Sequence, residues 1–104
     1  MDRRLSLHEE LVTILGSRNV YFQPPESIKL NYPCIIYERY NASQKFANNK
    51  TYSFRQGYEI TYIDANPDGN ASFKDNLINR LEMVRYNRHF KADNLNHDVY
   101  IIYY

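Results

Sequence analysis

The sequence predicts an α+β domain: one mostly antiparallel sheet of about four strands with two helices on one face, in the order helix, three strands, helix, strand. Three observations carry this. Two segments repeat apolar residues at helical spacing. One segment alternates with period two. The chain closes on Val99-Tyr100-Ile101-Ile102-Tyr103-Tyr104, an apolar and aromatic run of strand composition. The 104 residues suit one domain, residues 1–104, with no internal repeat, linker or low-complexity tract.

The first helix is signalled by Ser6-Leu7-His8-Glu9. It reads as a capping box, in which the Ser6 hydroxyl accepts from the Glu9 amide and the Glu9 carboxylate reaches back to the Ser6 N–H. Leu7, Leu11, Ile14 and Leu15 follow at helical spacing, and Gly16 suits the left-handed position that ends a helix. Val20-Tyr21-Phe22 is a short strand, stopped by Pro24-Pro25, which cannot donate to a ladder. The loop 26–31 leads to a second strand near 32–40. Residues 41–50 are polar and aperiodic and read as a long loop between strands.

The third strand places Tyr52, Phe54, Tyr58, Ile60 and Tyr62 on one face and Ser53, Arg55, Glu59 and Thr61 on the other, with Gly57 as the expected site of a bulge. Asn66-Pro67-Asp68-Gly69-Asn70 is a turn. Ser72 then caps a second helix with an apolar stripe of Phe73, Leu77, Ile78, Leu81 and Val84. Residues 86–96 read as irregular, and 99–104 as the last strand.

That last strand conflicts with a one-sided sheet. Val99, Ile101 and Tyr103 point one way and Tyr100, Ile102 and Tyr104 the other, so both faces are apolar. The second strand repeats the pattern at Cys34, Ile35, Ile36 and Tyr37. Two helices cover one face, so the other is expected to expose an apolar patch of the kind that marks a contact surface. The alternative is that residues 26–31 and 86–96 fold over it.

Composition narrows the function classes. With 13 Lys and Arg against 12 Asp and Glu, the net charge of +1 gives no long-range field for nucleic acid or anionic lipid. Eleven tyrosines and no tryptophan suit strands and half-wet contacts. Cys34, the only cysteine, lies in an apolar run and reads as a buried, inert thiol. No apolar stretch approaches the ~20 residues that span a bilayer. The start, Met1-Asp2-Arg3-Arg4, has no apolar signal-peptide core behind it, which places the expected location in the cytoplasm. The Asn-X-Ser/Thr matches at Asn41, Asn49 and Asn70 then carry no glycan.

Nothing in the sequence predicts an enzyme, a metal site or a cofactor. The glycines Gly16, Gly57 and Gly69 form no phosphate loop. His8, His89 and His97 lack ligand spacing, and His8 reads as a solvated helix residue. His97 with Asp93 or Asp98 is conceivable as a base and its orienter, but lies in an Asn- and Asp-rich segment. Asp64 and Asp68 read as turn formers. The stretch Arg55-Gln56-Gly57-Tyr58-Glu59-Ile60-Thr61-Tyr62 loosely matches the aromatic strand of an RNA-recognition motif, yet the alternation assigns Tyr58 and Tyr62 to the core. Arg80, Arg85, Arg88, His89 and Lys91 are locally basic, diluted by Asp75, Glu82 and Asp93.

Taken together, several features resemble the tail terminator (tail completion) proteins of long-tailed bacteriophages and related tail-joining subunits of prophages of Gram-positive bacteria. They are the N-terminal amphipathic helix, Val20-Tyr21-Phe22-Gln23-Pro24-Pro25 followed by Tyr32-Pro33-Cys34-Ile35-Ile36-Tyr37, the strand running into Tyr62-Ile63-Asp64-Ala65-Asn66-Pro67-Asp68, and the end from Asp93 to Tyr104. The resemblance implies a structural subunit that forms a ring, usually a hexamer, capping the tail tube and offering the head a joining surface. Its partners would be itself, the tail tube protein and head–tail connector proteins, with DNA met only as it passes through a channel. It would assemble in the host bacterial cytoplasm and remain in the virion tail. A neck or head-completion subunit is the alternative within that class, and a small RNA-binding domain the alternative outside it. The residues expected at subunit or partner contacts are Tyr100, Ile102 and Tyr104 on the last strand, Lys45, Phe46 and Lys50 in the long loop, and Arg55 and Glu59, which leave the core face of the third strand.

Overall fold

The computed structural model describes residues 3–40, 56–66 and 71–104. Among them, two helices and five strands follow in the order α1 (Arg3–Leu15), β1 (Val20–Phe22), β2 (Cys34–Arg39), β3 (Gly57–Asp64), α2 (Ala71–Arg80), β4 (Met83–Ala92) and β5 (Leu95–Tyr103). The strands form one sheet in the order β1-β2-β3-β5-β4. The fold is α+β, as the periodicities predict. The sheet is mixed: β1 runs parallel to β2, with Val20 opposite Ile35, and the remaining pairs are antiparallel.

Helix α1 buries Leu7, Leu11 and Ile14, the stripe read from the sequence. Its start differs. The helix already runs from Arg3, so Ser6 is inside it, and the Ser6 hydroxyl meets the Tyr104 hydroxyl at 2.6 Å. Glu9 instead pairs with Arg18 at 3.0 Å. No capping box forms, because the helix starts at Arg3 and Ser6 is not its N-cap; both side chains meet residues outside the helix. Gly16 does end it, with φ of 82° and its N–H donating to the Val12 carbonyl at 2.9 Å.

Gly57 is a glycine for a reason other than a bulge. The β2–β3 register is continuous from Cys34↔Ile63 to Arg39↔Tyr58. A Cβ at Gly57 would lie 2.7 Å from the Tyr40 carbonyl oxygen, so the two backbones approach too closely for any side chain. The bulge in this sheet lies in β4, between Tyr86 and Arg88.

In α2, Phe73 and Leu77 are buried, as is Leu81 just beyond the helix, whereas Ile78 is 51% exposed. Val84 is not in the helix at all but in β4. The core lies between the helices and one sheet face. Leu7, Leu11, Ile14, Phe73 and Leu77 meet Ile35, Tyr37, Tyr58, Ile60, Tyr62, Tyr100 and Ile102. Phe73 stacks on Tyr62 with centroids 4.0 Å apart, and Tyr37 packs against Phe22 at 4.9 Å. Each fully buried Leu or Ile here contributes roughly 1.5–3 kcal/mol.

The segment 86–96 corrects the sequence reading most clearly. It is not irregular. It forms most of β4, a two-residue turn at Asp93-Asn94, and the start of β5. Both turn residues have positive φ, 53° and 64°, the geometry that joins antiparallel strands with the native twist.

The second sheet face also differs from expectation. Cys34, Ile63, Val99 and Ile101 lie there by register, and each is buried, so no broad apolar patch opens on these strands. Part of the cover matches the alternative given above. The loop after β1 brings Pro24, Ile28 and Leu30 beside Ile36 around a cavity of about 280 Å³. Segment 86–96 does not fold over the face; it extends the sheet sideways.

Candidate subunit interface

The predicted contact residues separate. Tyr100 is 3% exposed and Ile102 1%. Both sit on the helix-covered face, and Tyr104 packs half-buried against the same core. Tyr100 and Ile102 are therefore core residues rather than contacts, because α1 and α2 cover the face that holds them; Tyr104 keeps part of its surface open. Glu59 does leave the core face, and lies 3.7 Å from the Arg88 guanidinium. Lys45, Phe46, Lys50 and Arg55 lie outside the described residues.

The other candidate chemistry resolves into structure. His8 is half-buried rather than solvated, with Nδ1 2.8 Å from the Tyr37 hydroxyl, and burial lowers its pKa from the ordinary histidine value. Arg4 donates to the same hydroxyl at 3.3 Å. His97 and Asp98 are neighbours on β5 and so point to opposite faces, which rules out their acting as base and orienter. His97 instead stacks on Phe90 at 4.6 Å, and its Nδ1 lies 3.1 Å from the Leu95 carbonyl. Asp64 accepts from the Tyr62 hydroxyl at 2.8 Å and from the Asn66 N–H at 2.6 Å, and so shapes the turn that follows β3. Cys34 is fully buried, and desolvation pushes its thiol up to about 11. Tyr58 and Tyr62 are buried at 3% and 2%, so they present no base-stacking platform. Among the described residues no three His, Cys, Asp or Glu side chains gather as metal ligands, and no helix is long and apolar enough to cross a membrane.

The feature that sequence reasoning missed is the β4 edge. Strand β4 is 10 residues long and, among the described strands, pairs only with β5. The opposite edge is β1, three residues long. Strand β4 carries Arg85, Arg88 and Lys91 and no carboxylate. On the helix side, Tyr86 is 46% exposed, packs edge-on against Tyr100 at 5.3 Å and lies under Lys74 at 5.5 Å. On the far side, Arg88 stands 5.5 Å over the ring of Phe90, which is 39% exposed.

A long edge of this kind offers a row of backbone N–H and C=O groups to another strand, flanked by aromatic rings and cations. The turn at Asp93-Asn94 was the available signal for it. No protein-family model, curated protein or solved structure matches the chain.

Proposed function

We propose that this chain is a structural subunit of a long-tailed bacteriophage or prophage particle, of the tail-terminator kind. Copies join edge to edge into a ring, hexameric above all, that caps the tail tube, stops its growth and meets the head–tail connector, with DNA passing through the centre. The observation that carries the subunit reading is the β4 edge. Among the described strands, the sheet ends in two unlike edges, the long β4 and the short β1. A contact between unlike edges is heterologous, and it closes into a ring when its rotation divides a full turn. The phage assignment rests on the resemblance in the sequence. A neck or head-completion subunit would use the same edge.

The test is solution mass by light scattering across a concentration series, alone and with tail tubes, for the wild type and Asn87→Pro. Asn87 sits at the register shift without a paired residue in β5, so proline there removes an N–H from the β4 edge at the one position where no β4–β5 pair is lost, with a thermal melt checking that the fold is intact. A discrete multimer or tube-bound ring that is lost in Asn87→Pro supports the proposal. A wild type monomeric both alone and with tubes, or assembly unchanged by the substitution, sinks it.

One observation favours a second reading. Arg85, Arg88 and Phe90 share the far face of an exposed strand by register, a composition suited to single-stranded RNA. Binding that weakens steeply with rising salt would establish that reading instead.

A further inference from the structure

We infer that the notch beside β1 receives Arg85 from the β4 edge of the next copy of this chain, with Glu38 as its ion partner. The inference rests on the edge-to-edge reading above and names the groups that fix the register of that contact. The notch is the cavity of about 280 Å³ between β2 and the loop after β1. Pro24, Ile28, Leu30 and Ile36 give it apolar walls, and the carboxylates Glu26 and Glu38 line it as well.

The notch exists because β1 ends early. Strand β1 pairs with β2 only as far as Phe22, opposite Tyr37. Gln23 then takes a φ of 43°, and Pro24-Pro25 carry the chain off the ladder. Strand β2 runs on to Arg39, so among the described strands none flanks Glu38 on the β1 side. The loop is held in shape: the Ile28 N–H donates to the Pro25 carbonyl at 3.1 Å, and the Asn31 N–H to the Tyr21 hydroxyl at 3.4 Å. A preformed cavity loses little freedom on binding.

The register supplies the charges. Glu38 lies directly opposite Glu59, and two carboxylates so placed repel. Glu59 has Arg88 at 3.7 Å. Across the sheet, Arg85, Ile101, Glu59 and Glu38 form one row on the face away from the helices. Arg88 heads another row on that face, with Val99, Thr61, Ile36 and Tyr21. The cations of β4 and the wall of the notch therefore stand at matching levels on opposite edges of one sheet face.

Strand direction agrees. Strand β1 is parallel to β2 and each later pair is antiparallel, so β4 runs antiparallel to β1. In a ring whose axis lies along the strands, rotation keeps every row at its own level and the same face turned the same way. The β4 edge of one copy then brings Arg85 level with Glu38 of the next, and Arg88 level with Ile36. An arginine suits such a cavity: its stem packs on apolar walls and its fork takes both oxygens of a carboxylate. Complementary charges of this kind fix register at an interface.

The experiment is light scattering across a concentration series, alone and with tail tubes, for the wild type, Arg85→Glu, Glu38→Arg and an equimolar mixture of the two variants. Each variant alone sets like charges against each other at every contact, and assembly is expected to weaken about 100-fold or more. A ring in which the two variants alternate pairs opposite charges at every contact, so the mixture is expected to assemble again, which unfolded chains could not do. Arg85→Lys, which keeps the charge and loses the fork, is expected to fall between, and Arg80→Gln, at a residue paired with Glu10, to match the wild type. Single variants that assemble like the wild type, or a mixture no stronger than its parts, overturn the inference. In that case, loss of assembly in Asn87→Pro still upholds the edge-to-edge reading. A wild type monomeric in both conditions overturns both.

Discussion

Replacing Tyr100 by alanine removes a ring that is 3% exposed and packs between Phe73, at 6.1 Å, and Tyr86, at 5.3 Å. Its neighbours on the same face, Ile60 and Ile102, are fully buried and held by the sheet, so the site can collapse only partly. Truncating a buried aromatic of this kind costs about 3–5 kcal/mol. A domain of this size holds about 5–15 kcal/mol in total. With a urea dependence of about 1–3 kcal/mol per molar, the midpoint should fall by about 2 M.

The assay is urea unfolding followed by circular dichroism at a concentration where the chain is monomeric. An intersubunit role for Tyr100 makes the opposite forecast: mass changes and the monomer's midpoint does not. A shift below about 0.5 M would refute the placement of Tyr100 in the core. Tyr104→Ala is the companion measurement. That side chain is half-buried and bonded to Ser6, so its loss should cost about 1–2 kcal/mol.

Other perturbations follow from the same contacts. Burial pushes the Tyr100 hydroxyl up to about 12, against 10.0 in an open chain. The folded state therefore holds that proton more tightly, and stability is complete below pH 10 and falls by up to about 1.4 kcal/mol per pH unit from 10 to 12, read as urea midpoints in that window. Cys34, also buried, should resist an alkylating reagent at pH 8 in the native protein and react fully in denaturant; rapid native labelling would contradict its burial. Gly57→Ala forces a Cβ to 2.7 Å from the Tyr40 oxygen and should lower stability by about 1–3 kcal/mol in the same unfolding assay. Asn94→Val places a β-branched residue at φ of 64° and should cost about 1–2 kcal/mol, whereas Asn94→Gly should be near neutral.

The elements legible in the sequence are those with one buried stripe against one polar stripe. Leu7, Leu11 and Ile14 are apolar at helical spacing because one side of α1 faces the sheet, and Tyr58, Ile60 and Tyr62 alternate because β3 has helices on one side only. The errors have specific causes. The Ser6–Glu9 box satisfied a local pattern, but α1 already begins at Arg3, and the two side chains turn to Tyr104 and Arg18 instead. Ile78 and Val84 read as members of the helical stripe, yet Ile78 lies about 100° round the helix from Leu77 and faces out, and α2 stops at Arg80, so Val84 enters a strand. The choice of Tyr100, Ile102 and Tyr104 as the contact face came from a strand that is apolar on both sides. Period two says that two faces exist and gives no indication of which one the helices cover.

Strand β4 escaped the same reasoning for the opposite cause. An edge strand with exposed residues on both faces has no hydrophobic period, so residues 86–92 look like a loop even though nine of the ten residues of β4 pair with β5. The remaining signal was the turn, since two adjacent residues of the Asp/Asn class readily take positive φ and join two strands at the shortest distance. The property that hid β4 also makes it the candidate contact. A strand beyond the reach of the helices is exposed on both faces and so does not alternate, and the same peripheral position leaves one row of its backbone groups open. Edge strands of this kind are thus harder to read than core strands, and here turn chemistry locates the strand better than hydrophobic pattern does.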